Sequence, residues 1–486
     1  MMTSIPIKII EPAPRKIDKL VNFISRHKKK LYLIHGIMMI FFLILLIVPI
    51  FTPPALYGDT VLTNFRRFSI FLFWGLWFPL VLFSCIPLGR FWCGGLCPMG
   101  AASEFARRFG PNKPVPKWIK WSGTPIVSFA IITIWGQTLD VRDQPLGQLI
   151  LFSCILVVAL TIGFLYGMKK DKRPWCRHLC PIGLMLGVNS RLGAISFDPK
   201  KPLAGGDVYK DSGICPTNIS LRHKTESRHC LGCFRCTGER SVMQVNLRKP
   251  GTELEQIHKS NPSLSEVMFI FISAGLALGG FLWLVLPQYN AAEHALLTWL
   301  FEHGQYWVGQ PGPAFLMSVN PQEGQVYSWL DFFSIVSFML LCAIAVTLTL
   351  SITTSLSAWC TTKLGSNTPF SQLFIHYGYQ LAPVAMISII IGLGATLFNT
   401  LTNFGFSPLS IEIIKSVLLI LAWLWGIKIG YQQIKHQGLS NAALWLAITP
   451  NIIGALLLTL AWWPAIFGVD FVLKEVMRNN AIIIGG

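Results

Sequence analysis

"RFWCGGLCPMG" at residues 90–100 returns as "RPWCRHLCPIG" at residues 173–183, with Arg, Trp, both Cys, Leu, Pro and Gly in register. A match of this length within one chain marks an internal duplication. Each copy follows an apolar stretch of spanning length, so the repeated unit is a helical hairpin that presents Trp-Cys-x-x-x-Cys-Pro at one edge of a membrane. On this reading residues 31–190 form a four-helix membrane core made of two hairpins.

The whole chain agrees with a membrane setting. Its 486 residues are 52% hydrophobic and 13% charged, with a mean hydropathy of +0.54, far too apolar for a soluble protein of several domains. Apolar stretches run at about 31–51, 69–88, 125–138, 149–167, 266–287, 331–351, 373–398, 411–431 and 442–467, the third of them short. The expected fold is an all-α polytopic membrane protein of about nine transmembrane helices.

The net charge of +18 raises the question of nucleic acid, and its distribution answers it. Of 40 Lys and Arg, 33 lie in the alternate connections 1–30, 89–124, 168–265, 352–371 and 433–440, while residues 288–330 contain none. The positive-inside rule assigns the cation-rich connections to the cytoplasm, giving an N-inside, C-outside chain in the cell's inner membrane. Topology accounts for the basic residues, so no nucleic-acid partner is expected; the partners are membrane lipid and redox proteins on the cytoplasmic and outer sides. The first apolar stretch has a basic start but no small-residue cleavage site after it, and it is expected to stay as an anchor.

Eight of the twelve cysteines fall in the two large cation-rich connections or at their borders, where a reducing compartment makes disulfides the lesser use. In "CLGCFRCTGER", Cys230, Cys233 and Cys236 begin an iron–sulfur run whose fourth ligand position is occupied by Arg240. Cys215, followed by Pro216 in "CPTNISLRH", has the form of a remote ligand and completes four thiolates for one 4Fe-4S cluster. A zinc site would favour two CxxC pairs over three cysteines on one loop. Turns at Gly232 and Gly238 would aim backbone amides at the sulfurs, and His223, Lys224, Arg228, His229 and Arg235 either raise the potential or merely mark a cytoplasmic loop.

Cys93 with Cys97, and Cys176 with Cys180, are spaced to share one face of a helical turn. Four thiolates converging there would suit a second cluster, a soft metal such as copper(I), or a dithiol redox pair. Trp92 and Trp175 are read as interfacial aromatics, and Arg90 and Arg173 as anchors, with support of the thiolates as their alternative use. Cys85, Cys154, Cys342 and Cys360 stand singly in or beside spans and are expected to be inert packing.

These residues carry a resemblance. The two WCxxxCP elements, the CPTNI segment and the CLGCFRC loop resemble the NapH/NosR-type membrane-bound 4Fe-4S ferredoxins, and the CPTNI segment is similar to that of CcoG-type assembly factors, over about residues 31–250. The resemblance implies a small cytoplasmic ferredoxin-like iron–sulfur domain on the membrane core, with Cys215, Cys230, Cys233 and Cys236 as cluster ligands and Cys93, Cys97, Cys176 and Cys180 as the membrane-edge redox or metal residues. It implies respiratory electron transfer, with quinone as a further cofactor. This chain has one shortened run where the family has two, and residues 263–486 match nothing in that core.

The chain thus divides into a basic tail at 1–30, the membrane core at 31–190, an iron–sulfur region at 191–262 and a second bundle of about five helices at 263–486. In that bundle His376 and His436 lie at similar depth, but haem is not expected, since single histidines near an interface commonly meet headgroups or water. His294 and His303 belong to an interfacial helix with Trp299 and Trp307, and Lys415 and Lys428 are expected to snorkel. The function expected is an integral membrane electron carrier rather than a stand-alone enzyme. The alternative is a copper-handling assembly factor in which the cluster reduces the metal.

Overall fold

The structure, a computed structural model, describes residues 16–27, 30–55, 58–167, 172–200, 215–238, 241–321 and 325–468. Arg240 lies outside them. Among the described residues eight helices are long and apolar enough to cross a membrane: α2 (Leu31–Phe51), α3 (Phe65–Leu88), α6 (Pro145–Leu165), α8 (Leu264–Val285), α10 (Trp329–Lys363), α11 (Phe370–Leu393), α12 (Pro408–Lys435) and α13 (Asn441–Phe467). The ninth apolar stretch is helical as α5 (Thr124–Thr138, 15 residues). At 1.5 Å per residue it reaches only about 22 Å, short of a hydrocarbon core of about 30 Å.

Local chemistry sets the ends of the elements that matter. Asn64 caps α3 by accepting hydrogen bonds from the Arg66 and Arg67 backbone N–H groups, and Gly89 ends it at φ 59°. Within α3, Phe71–Trp77 widens into a π-helical turn, a feature common at functional sites. The short helices α4 (Pro98–Ala106) and α7 (Pro181–Ser190) each begin at the proline of a WCxxxCP element. Proline suits that first position because its fixed φ is helical and its missing N–H would have no partner there.

After α7 the chain forms β1 (Ile195–Pro199) and returns as β2 (Met243–Leu247), antiparallel with Ile195 opposite Leu247 and Pro199 opposite Met243. The cysteine loop is carried between these strands. A small core of Phe197, Leu221, Phe234, Val242, Met243 and Val245 holds it, joined by Val21 of α1 (Lys16–Arg26). The main core is continuous across both halves of the chain, from Leu82 of α3 through Trp175 and Met185 to Phe271, Ile390 and Trp462.

In the second bundle α8 and α11 are interior, and the surface helix α9 (Pro287–Glu302) exposes Trp299. Lys428 is exposed and pairs with Glu255 at 3.0 Å. Lys415 does not snorkel: it is buried, with Nζ 5.7 Å and 5.3 Å from the ring centroids of Phe281 and Phe398. Two aromatic faces replace headgroup contact for its ammonium. His376 is buried, and His436 instead lies beside His258, ring centroids 4.6 Å apart.

Candidate functional site

Cys215, Cys230, Cys233 and Cys236 line one pocket, together with Lys224 and Arg235. Main-chain contacts bring Cys215 back to the loop. The Pro216 carbonyl accepts from the backbone N–H groups of Lys172 and Arg173 at 3.0 and 2.9 Å, and Thr217 Oγ1 donates to the His229 carbonyl at 3.0 Å. Gly232 has φ 63°. A Cβ there would lie 3.1 Å from the Phe91 nitrogen, so glycine serves both the turn and the close approach. Phe234, at φ 55°, is held in that costly conformation by edge contacts with Phe197 and Phe91, at 5.1 and 6.1 Å.

Cys93, Cys97, Cys176 and Cys180 form a second group. Each element is a wide π turn, Cys97 N–H donating to the Trp92 carbonyl and Cys180 N–H to the Trp175 carbonyl, both at 2.9 Å. The turns interlock across a pseudo-twofold. A Cβ on Gly100 of the first copy would stand 3.0 Å from Cys176 Sγ, and one on Gly183 of the second would stand 3.5 Å from Arg90 Nη2.

Burial is the first cause that pushes the Cys97 thiol up to about 11, Cys176 to about 12 and Cys180 well above the usual range, with neighbouring thiolates adding to it. Burial likewise lifts Cys233 to about 11 in the loop group. Buried thiols of this kind hold the thiolate form only against bound cationic metal.

The two groups touch. A Cβ on Gly94 would fall 2.5 Å from the Leu231 carbonyl oxygen and 2.7 Å from Cys233 Cα, so only glycine admits the loop there. Arg90, buried, approaches Cys93 Sγ with Nη2 at 3.8 Å and donates from Nη1 to the Arg228 carbonyl. Arg173, fully buried, donates to Glu104 Oε2 at 2.8 Å and to the Cys93 carbonyl at 2.9 Å. Glu104 also receives Arg235 through both oxygens, at 2.6 and 2.9 Å. These two arginines hold the Glu104 carboxyl down at about 2, against the effect of burial.

Arg90 and Arg173 are therefore not interfacial anchors; both sit between the cysteine groups. The two tryptophans also leave the interface, Trp175 in the core and Trp92 packed edge-on at 5.0 Å from Trp77. Glu104 went unread in the sequence, although a signal exists: it is the sole acid between Asp59 and Asp140, in a stretch otherwise basic.

Cys93, Cys97 and Cys180 border an apolar cavity of the membrane core. Part of its wall is a run of aromatic rings. Trp92, Trp77, Phe73 and Phe152 follow one another at centroid separations of 5.0, 5.4 and 5.2 Å. At the far end are Gln137 and Arg142, joined by an Arg142 Nη2 to Gln137 Oε1 bond of 2.8 Å.

Each cysteine group offers thiols, the donor type that iron–sulfur clusters take. Among the described residues no three His, Cys, Asp or Glu side chains converge closely enough to hold a single metal ion. One tetrahedral ion with metal–sulfur bonds of about 2.3 Å would require such convergence, whereas a cubane binds each thiolate at a different iron and spreads them. Backbone N–H groups of Gly232 and Arg235 reach Cys230 and Cys233, and that of Gly183 reaches Cys180, the hydrogen bonding that cluster sulfurs receive.

A 4Fe-4S binding domain matches residues 70–116 and 149–198, which contain both WCxxxCP elements. A Yip1 domain matches residues 246–463. The loop cysteines fall between these regions. Ferredoxin-type protein NapH of Escherichia coli is 25% identical over 171 residues, 30% of this chain and 58% of that protein. YccM of the same organism, named for electron transport, is 26% identical over 208 residues, 35% of this chain and 56% of that protein. Protein NirI of Paracoccus denitrificans is 25% identical over 199 residues, 35% of this chain and 28% of that protein. The chain thus spans little more than half the length of the first two relatives. No solved structure matches.

Proposed function

From homology to ferredoxin-type proteins over about a third of the chain, and a 4Fe-4S binding domain laid over both WCxxxCP elements, we propose that this is a membrane-bound iron–sulfur electron carrier with two cluster sites. Cys215, Cys230, Cys233 and Cys236 hold one 4Fe-4S cluster. Cys93, Cys97, Cys176 and Cys180 hold the second at the membrane edge. A bound cluster supplies one-electron exchange at a potential that the protein sets.

The protein's own contribution is placement. Gly94 lets the loop group lie in van der Waals contact with the edge group, and this contact is the observation that carries the proposal. The apolar cavity admits a membrane-soluble quinone, its apolar walls excluding water and Arg142 and Gln137 offering hydrogen bonds to a carbonyl head group. The chain lies in the inner membrane with residues 1–30 and the iron–sulfur region, 191–262, in the cytoplasm, as the distribution of Lys and Arg supports. Electrons pass between a cytoplasmic redox protein and quinone, with the four-helix core of 31–190 between them and the bundle of 263–486 packed alongside.

The test is anaerobic purification of the full chain with iron, sulfide and EPR analysis. The wild type is expected to hold two clusters, Cys230→Ser to lose the loop signal, and Cys93→Ser/Cys176→Ser to lose the other. Retention of the full signal in Cys230→Ser, or thiol-dependent copper in place of iron, overturns the assignment.

A further inference from the structure

The duplication gives each copy a buried arginine but gives only one of them a carboxylate. Glu104 follows Cys97 by seven residues; the matching position in the second copy, seven after Cys180, is Gly187. Across the pseudo-twofold, Glu104 meets Arg173. Gly187 faces Arg90, since a Cβ there would stand 3.4 Å from Arg90 Nη1 and 3.1 Å from the Arg228 carbonyl oxygen. With no acid opposite it, Arg90 turns to that carbonyl, and its Nε has no partner.

Glu104 has a second partner, Arg235, which lies between Cys233 and Cys236 and lines the same pocket as the loop thiols. Arg173 in turn stands beside Cys176, a Cβ on Gly100 being 3.2 Å from its Nη1 and 3.0 Å from Cys176 Sγ. A single buried carboxylate therefore pairs with one cation at each cysteine group and offsets part of the charge of each. Both arginines keep their charge under all ordinary conditions.

We infer that Glu104 is a positioning residue that sets the charge both cysteine groups experience, and so their reduction potentials, by holding Arg173 and Arg235 in a shared ion triad. The inference rests on the two-cluster reading above. A cation near a cluster favours the more negative, reduced form. The carboxylate opposes that pull at both sites, while Arg90 acts unopposed beside Cys93. The repeated arginine with an unrepeated acid makes the two arms of the edge group electrostatically unequal.

The test uses the full chain, purified without oxygen, with midpoints read from EPR-monitored redox titrations. In Glu104→Gln the shape is kept and the charge removed, so both midpoints are expected to move to higher potential at unchanged iron content. In Glu104→Gln/Arg235→Gln the loop midpoint is expected to return toward wild type. A purely structural carboxylate, its shape kept in Glu104→Gln, would leave both midpoints of the single variant unmoved.

Unchanged midpoints in the single variant, or no return in the double, overturn the inference. Should Glu104→Gln lose iron, Arg235→Gln decides alone: its loop midpoint must fall below wild type, and an unchanged one overturns the inference. Wild-type protein without iron and sulfide would instead overturn the two-cluster reading itself, so the two failures are distinguishable.

Discussion

The first and second copies of the repeat share Arg, Trp, both cysteines, Leu, Pro and Gly, yet each receives a different part of the iron–sulfur region. Where the first has Gly94, the second has Arg177. Gly94 vacates the space that the Cys233 loop fills. Arg177 reaches out and donates to the Thr217 and Asn218 carbonyls at 2.6 and 3.0 Å, grasping the segment that carries Cys215. The shared residues build the edge group, and the residues that differ divide the docking of the loop group between the two copies. One recess and one arm are needed because the four loop ligands come from two separated stretches of chain.

The difference extends to the arginines at the end of each copy, and there the largest effect is expected. Arg191 is fully buried and bonds Glu226, Glu253 and Glu266 at 2.9, 2.8 and 2.7 Å. Arg108 holds the matching position but is exposed, its guanidinium 5.5 Å from the Tyr32 ring. Arg191→Met strands buried carboxylates, which should cost about 3–5 kcal/mol, read as a lowered melting temperature of the solubilised protein. Equal tolerance of Arg191→Met and Arg108→Met would erase the contrast.

Gly94→Ala comes next. Its methyl group meets main chain, not a movable side chain, so a penalty of about 1–3 kcal/mol is expected, with loss of the loop EPR signal and retention of the edge signal. Gly95→Ala is the control, because its Cβ would meet only the Phe91 ring, at 2.9 Å. Arg177→Ala removes two hydrogen bonds, one part-buried and one exposed, and about 1 kcal/mol in total is expected. Cys215 should become easier to alkylate in the iron-free protein while Cys93 does not. The smallest effect, about 0.5–1 kcal/mol, is expected for Arg108→Met, which loses exposed cation–π contacts with Tyr32 and Phe105; the same thermal melts measure it.

Much of the architecture was legible because hydropathy and duplication are written along the chain. The long apolar stretches emerge as helices, while Cys215, Cys230, Cys233 and Cys236 border one space and Cys93, Cys97 and Cys180 another. What was not legible depends on tertiary burial of charge. Arg90 and Arg173 look like edge anchors in a one-dimensional reading, since no local rule shows that a carbonyl or carboxylate from a distant segment will meet them. Glu104 was hidden for the same reason. Trp175 and Lys415 were assigned to the interface because their residue types are common there, and packing placed both inside. The short stretch at 125–138 was visible as an exception before its helix was seen to be only 15 residues long.

The carbonyl of Pro216, shared by two amides from residues 172 and 173, has a consequence for assembly. Those amides belong to main chain that is synthesised more than forty residues before it. The donors for the Cys215 segment are thus already synthesised when that segment leaves the ribosome. Most side-chain replacements at Lys172 leave its amide donor untouched, whereas Lys172→Pro deletes it and would leave the late-arriving strand without part of its berth.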